Sequence, residues 1–191
     1  MAQRFYFLEG APRFFAVDCS VINAGGVLPF TERERHGEAI AWFDRDGVLR
    51  PRAVDVEALS RRRAQRLPQP RGSTPVYSML VAKELARGLA LEAYGFYQAP
   101  VRALIELLGI RHRPDRFDFG WRYVERELPE SAQALIARHA FVAGAAALAV
   151  LAASLEREIN ELLATLAMDG PQRNEAGVAF SVAAPVDRPS P

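Results

Sequence analysis

The chain is poor in the residues that most often build metal centres, disulfides and amine chemistry. It has one cysteine, one lysine and three histidines in 191 residues. With Cys19 alone, no internal disulfide framework can form, and that usage fits a reducing, cytoplasmic compartment. His36, His112 and His139 fall in a charged stretch, a loop and a helical pattern, too scattered for the ligand spacing of a zinc site. An excess of one charge is also lacking: 24 basic and 23 acidic residues are interleaved to a net charge of +1, which gives no case for a nucleic-acid partner. Arg61, Arg62, Arg63 and Arg66 have no aromatic residues between them and read as a solvated face. The most apolar run, 140–155, holds 16 uncharged residues, short of the roughly 20 needed to span a bilayer, and reads as a buried core helix. The first residues lack a basic segment followed by an apolar run, so no secretory signal is expected.

What is present is a globular composition, half hydrophobic, enough for one compact domain or two small subdomains. Residues 3–8 (QRFYFL) and 13–22 (RFFAVDCSVI) are aromatic and β-branched, and Gly10-Ala11-Pro12 parts them, which predicts a hairpin. Alternation puts Phe15, Val17, Cys19 and Val21 on one face of the second strand. Asp18 falls on the other, with Phe14, Ala16, Ser20 and Ile22, as a carboxylate inside an apolar strand. Gly25 and Gly26 end the strand, and the charged residues 31–38 are expected on the surface. Residues 39–43 (AIAWF) predict a short strand closed by an Asp-Gly turn, with Asp44 and Asp46 as turn residues. Residues 54–67 predict a short exposed helix, and 67–73 (LPQPRGS) a linker.

The longest helical pattern runs from Thr74, as N-cap, to Gly109. Val76, Leu80, Val81, Leu85, Leu89, Tyr94, Val101, Leu104, Ile105 and Leu108 recur at spacings of three and four along it. Gly88 and Gly95 each cost about 1 kcal/mol relative to alanine, and Pro100 is expected to kink or break the helix. A loop and then a helix over 117–128 follow, with Phe117, Trp121, Val124 and Leu128 as its stripe. Two more helices are expected over 131–166, dividing near 142–144, and a disordered tail over 169–191. Strands followed by helices read as α+β: a small β region, then an antiparallel helical bundle.

Several of these stretches resemble the DNA-polymerase-β-like nucleotidyltransferases, in the aminoglycoside (streptomycin-type) adenylyltransferase-like branch. RFFAVDCSVI resembles the strand that carries that superfamily's third active-site carboxylate, and Asp18 is the matching residue. AIAWFDRDGVLRP resembles the segment that follows that strand. LVAKELARGLALEA resembles the branch's Val-Ala-Lys…Arg-Gly helix, with Lys83 and Arg87 at its basic positions, and RYVERELPE resembles part of its bundle. The likeness covers about residues 13–166 and rests on the order of short motifs. It implies a partial nucleotidyltransferase-like region over 1–67 and a helical bundle over 68–168. It also implies transfer of a nucleotidyl group from a nucleoside triphosphate with Mg²⁺ to a small hydroxyl acceptor. Asp18 would be the catalytic and metal-binding residue, with Lys83 and Arg87 on the nucleotide.

The chain departs from that pattern where the chemistry is most demanding. Two-metal phosphoryl transfer needs a carboxylate cluster, yet no Asp-x-Asp stands before Asp18, and Asp44-x-Asp46 comes after it in a turn. The only Gly-Ser, Gly72-Ser73, also follows Asp18, and Ser73 stands where the branch carries a glutamate taken as general base. The chain therefore resembles the later part of such an enzyme. Asp18 can equally be an ordinary polar strand residue, and Lys83 a solvated helix lysine. Two readings stay open: a nucleotidyltransferase that takes its missing carboxylates from elsewhere, or a non-catalytic helical dimerisation or ligand-binding remnant. Either one leaves a hairpin with free edges, which predicts a homodimer or a partner chain that supplies strands.

Overall fold

The computed structural model describes residues 2–12, 14–23 and 30–168. It is α+β: a two-stranded antiparallel sheet followed by a helical bundle. The hairpin joins β1 (Ala2–Phe7) to β2 (Ala16–Val21), with Phe5 opposite Asp18 and Tyr6 opposite Val17. Among the described residues both strands are edges, and both faces are bare: Phe5, Phe7 and Val21 are each more than 60% exposed. The tail over 169–191 and the glycine pair at 25–26 lie outside the described residues.

Residues 39–43 do not form the expected strand: Ile40, Trp42 and Phe43 are exposed, with no partner strand among the described residues. The turn after them does form, because Asp44 accepts from the Val48 and Leu49 amides at 2.8 and 3.0 Å. The charged stretch contains a single helical turn, α1 (Arg33–His36), and Arg35 is buried there, contrary to its expected surface position.

Residues 56–168 form a helical bundle. Asp55 caps α2 (Val56–Arg66) by accepting from the Ala58 amide, and Leu59 is its buried residue. Residues 67–73 are not a linker. Pro68 and Pro70 sit in the first turn of α3 (Pro68–Ala86), where a missing N–H removes no intrahelical bond. Thr74 is therefore a buried residue inside α3 and not an N-cap.

The expected helix 74–109 is broken at Gly88 instead of Pro100. Gly88 adopts φ +75°, its amide donates to the Leu85 carbonyl at 3.0 Å, and the Leu89 amide donates to the Glu84 carbonyl at 2.9 Å. That is a Schellman cap, for which glycine in the left-handed region is the favoured residue. The next helix, α4 (Ala90–His112), continues unbroken through Pro100. Tyr97, Val101, Leu104, Ile105 and Leu108 are all at most 4% exposed, so burial on both sides of the proline holds the helix together. Gly109, expected as a terminator, lies inside α4 against the backbone of Phe117.

A 3-10 turn (Pro114–Phe119) and the short α5 (Val124–Glu127) replace the helix expected over 117–128. Gly120 at φ +57° and Tyr123 at φ 60° divide them. α6 (Glu130–Ala140) and α7 (Ala145–Met168) separate at 141–144, as the sequence predicts. α4 is the central helix and packs against α3, α6, α7 and the 3-10 turn. Leu148, Leu155 and Ile159 of α7 complete the core. Among the described residues no helix is long and apolar enough to cross a membrane.

Candidate functional site

Asp18 stands on β2, on the hairpin face that carries Phe5 and Phe7. Both of its carboxylate oxygens accept from the Gln3 amide nitrogen, at 2.8 and 2.9 Å, across the two strands. No trio of His, Cys, Asp and Glu side chains converges to hold a metal ion among the described residues.

Lys83 and Arg87 lie at the end of α3 and share one partner. The Glu84 carboxylate, 4% exposed, receives Lys83 Nζ at 3.2 Å on one oxygen and Arg87 Nη1 at 2.9 Å on the other. A carboxylate near a helix C-terminus opposes the helix dipole, and the two cations offset it. Both cations remain more than half exposed, so they are open to a further anion. No hydrogen bond or ion pair joins Asp18 to Lys83 or Arg87 among the described residues: the structure brings the two basic residues together and places Asp18 in a different setting.

A cleft on the bundle lies elsewhere, between α2, α4 and the 3-10 turn, with a volume of about 520 Å³. Arg62 and Arg66 reach it from successive turns of α2, and Arg102 and Glu106 from successive turns of α4. Arg66 forms a two-pronged pair with Glu106, both contacts 2.7 Å, which holds its guanidinium more basic than usual. Arg62 Nη2 meets Asp118 Oδ2 at 2.5 Å, while the other oxygen of Asp118 meets Arg35 at 2.6 Å. Ile105 and Phe117 form the apolar floor, both 1% exposed. Trp121 lines the same cleft and is 50% exposed, which corrects its expected place in a buried stripe.

Beside the cleft, arginines clamp the 3-10 turn. Arg35 Nε donates to the Asp115 carbonyl, Arg113 to the carbonyls of Gly120 and Arg122, and Arg116 to the Glu34 carbonyl. His36 stacks on Phe119 with ring centroids 5.4 Å apart. Burial and then the neighbouring Arg35 charge push its imidazole below the usual value. His112 is also lowered, by burial and Arg111. His139, fully buried, accepts at its backbone carbonyl from the Tyr97 hydroxyl at 3.0 Å. Burial lowers the imidazole and raises the Tyr97 hydroxyl, so both stay neutral.

Two signals for the cleft were present in the sequence and are clear only in the fold. The i, i+4 spacing of Arg62 and Arg66 puts both on one face of α2, and Gly120 allows the chain to reverse before Trp121. Arg102 carried no signal, because nothing local tells a solvated helix arginine from one at a cleft. Comparison of the chain with family models, curated proteins and solved structures returns no match.

Proposed function

We propose that the chain acts as a docking module of nucleotidyltransferase-like descent: a finished helical bundle that presents an unfinished sheet to a second copy or a partner chain. The observation that carries this reading is the hairpin. Two strands alone are at best marginally stable in water, yet among the described residues this pair keeps both edges open and Phe5, Phe7 and Val21 uncovered. Added strands would use the free backbone groups, and the chain that brings them would cover the aromatic faces.

Among the described residues, no carboxylate cluster that a two-magnesium centre needs stands beside Asp18. Asp18 is one carboxylate, and Gln3 engages both of its oxygens. Nucleotidyl transfer to a small hydroxyl acceptor is therefore proposed only for an assembly in which the second chain supplies further carboxylates beside Asp18. Lys83 and Arg87, half exposed around Glu84, are the groups proposed to meet a triphosphate.

Light scattering after size exclusion tests the docking reading. A mass above the 21.1 kDa of one chain at micromolar concentration is expected, reduced to one chain by Phe5→Lys with Phe7→Lys. A strict monomer would sink it. Calorimetric titration with ATP and Mg²⁺ tests the retained nucleotide site separately: saturable binding weakened by both Asp18→Asn and Lys83→Ala supports it, and no heat at millimolar nucleotide removes it.

A further inference from the structure

We propose that the cleft between α2, α4 and the 3-10 turn binds a flat aromatic molecule bearing a single negative charge, with the charge on Arg102 and the ring against Trp121. The cleft, about 520 Å³, lies within the few hundred to a thousand Å³ usual for small-molecule sites. It combines an apolar floor, Ile105 and Phe117, with a small number of polar groups, as such sites do.

Charge selects the ligand. Three guanidiniums face two carboxylates. Arg66 is satisfied by Glu106 on both prongs and Arg62 by Asp118. Arg102 alone of the three has no hydrogen bond or ion pair within the protein among the described residues. One guanidinium fork is thus free, and a carboxylate is the anion whose two oxygens match it. A polyphosphate would set its additional charges beside Glu106 and Asp118, where like charges repel. Trp121 supplies the second half of recognition, since half of a large indole is left open at the wall of the same cleft.

The test uses the full chain and benzoate, its uncharged analogue benzamide, and ATP without metal. Calorimetry gives the affinities, and Trp121 emission, isolated by Trp42→Phe, locates the ligand. Benzoate is expected to bind and to change Trp121 emission. Benzamide is expected to bind about tenfold more weakly or worse, roughly the equivalent of one lost charge-assisted hydrogen bond. Arg102→Gln, at an exposed position, is expected to reduce benzoate affinity to that of benzamide, and Arg102→Lys to restore part of it. Equal binding of benzoate and benzamide, ATP binding tighter than benzoate and weakened by Arg102→Gln, or indifference of benzoate to Arg102→Gln would each overturn the proposal, as would silence at Trp121. None of these outcomes bears on the oligomer measured for the docking reading.

Discussion

Replacing Gly109 with alanine sets helix propensity against packing at one atom. An alanine in the interior of a helix is worth about 1 kcal/mol over glycine, so propensity alone predicts a more stable protein. A Cβ at Gly109 would meet the Phe117 carbonyl oxygen at 2.9 Å and its Cα at 3.0 Å, both backbone atoms. The 3-10 turn that carries Phe117 has little room to yield, because Arg35 and Arg113 hold its carbonyls and those just beyond. Overpacking of that kind costs about 1–3 kcal/mol. Gly95 is the control: it lies in the same helix, and a Cβ there meets nothing within 4 Å. The propensity gain is common to both variants, so their difference isolates the contact. At roughly 2–4 °C per kcal/mol for a chain of this length, Gly109→Ala should melt about 2–12 °C below Gly95→Ala. Urea denaturation should give the same order with unchanged m-values. Equal stabilisation by the two substitutions would refute the close packing of α4 on the turn.

Other perturbations probe the charged groups. Asp118→Asn weakens the pairing of Arg35 and Arg62 together and should cost about 1–3 kcal/mol, with faster amide exchange over Arg33–His36; unchanged exchange there would show that the pair does not anchor α1. Glu84→Gln should cost about 1 kcal/mol, and Lys83→Ala less because Arg87 remains on the carboxylate; an equal loss in urea titrations would contradict the shared pairing. For His139 the folded pKa lies below the usual 6.5 because of burial, so the unfolded chain takes up a proton first as pH falls. Stability should therefore decline as pH drops from about 6.5 toward the folded value, and the His139 ring signal in NMR should titrate below 6.5; titration at or above it would be incompatible with the buried neutral ring.

The hairpin, α2 and the division between α6 and α7 were legible because each is specified locally, by alternation, an amphipathic arginine-rich run or a glycine break. The proline-rich 67–73 was not, since the same two prolines suit a linker and a first helical turn, and only the packing of α3 on α4 and α7 decides. Pro100 misled for the same reason: its local cost is real, but the buried residues around it outweigh that cost. Residues 39–43 have strand composition without a neighbouring strand to pair with among the described residues. As for the sites, Asp18 and Lys83 stood out by residue type and Arg87 only through the family resemblance, whereas the cleft depends on helix faces and on a turn that the periodicity of 117–128 concealed.

Asp118 divides its two oxygens between arginines that lie 27 positions apart in the chain, and this gives the sequence an order in which it can drift. Loss of Arg62, which is half exposed, leaves Asp118 still neutralised by Arg35, so that step is nearly silent. Loss of Asp118 first leaves Arg35, at 9% exposure, with the Glu32 carboxylate at 3.1 Å as its remaining ion pair. Lineages should therefore part with the outer arginine before the aspartate.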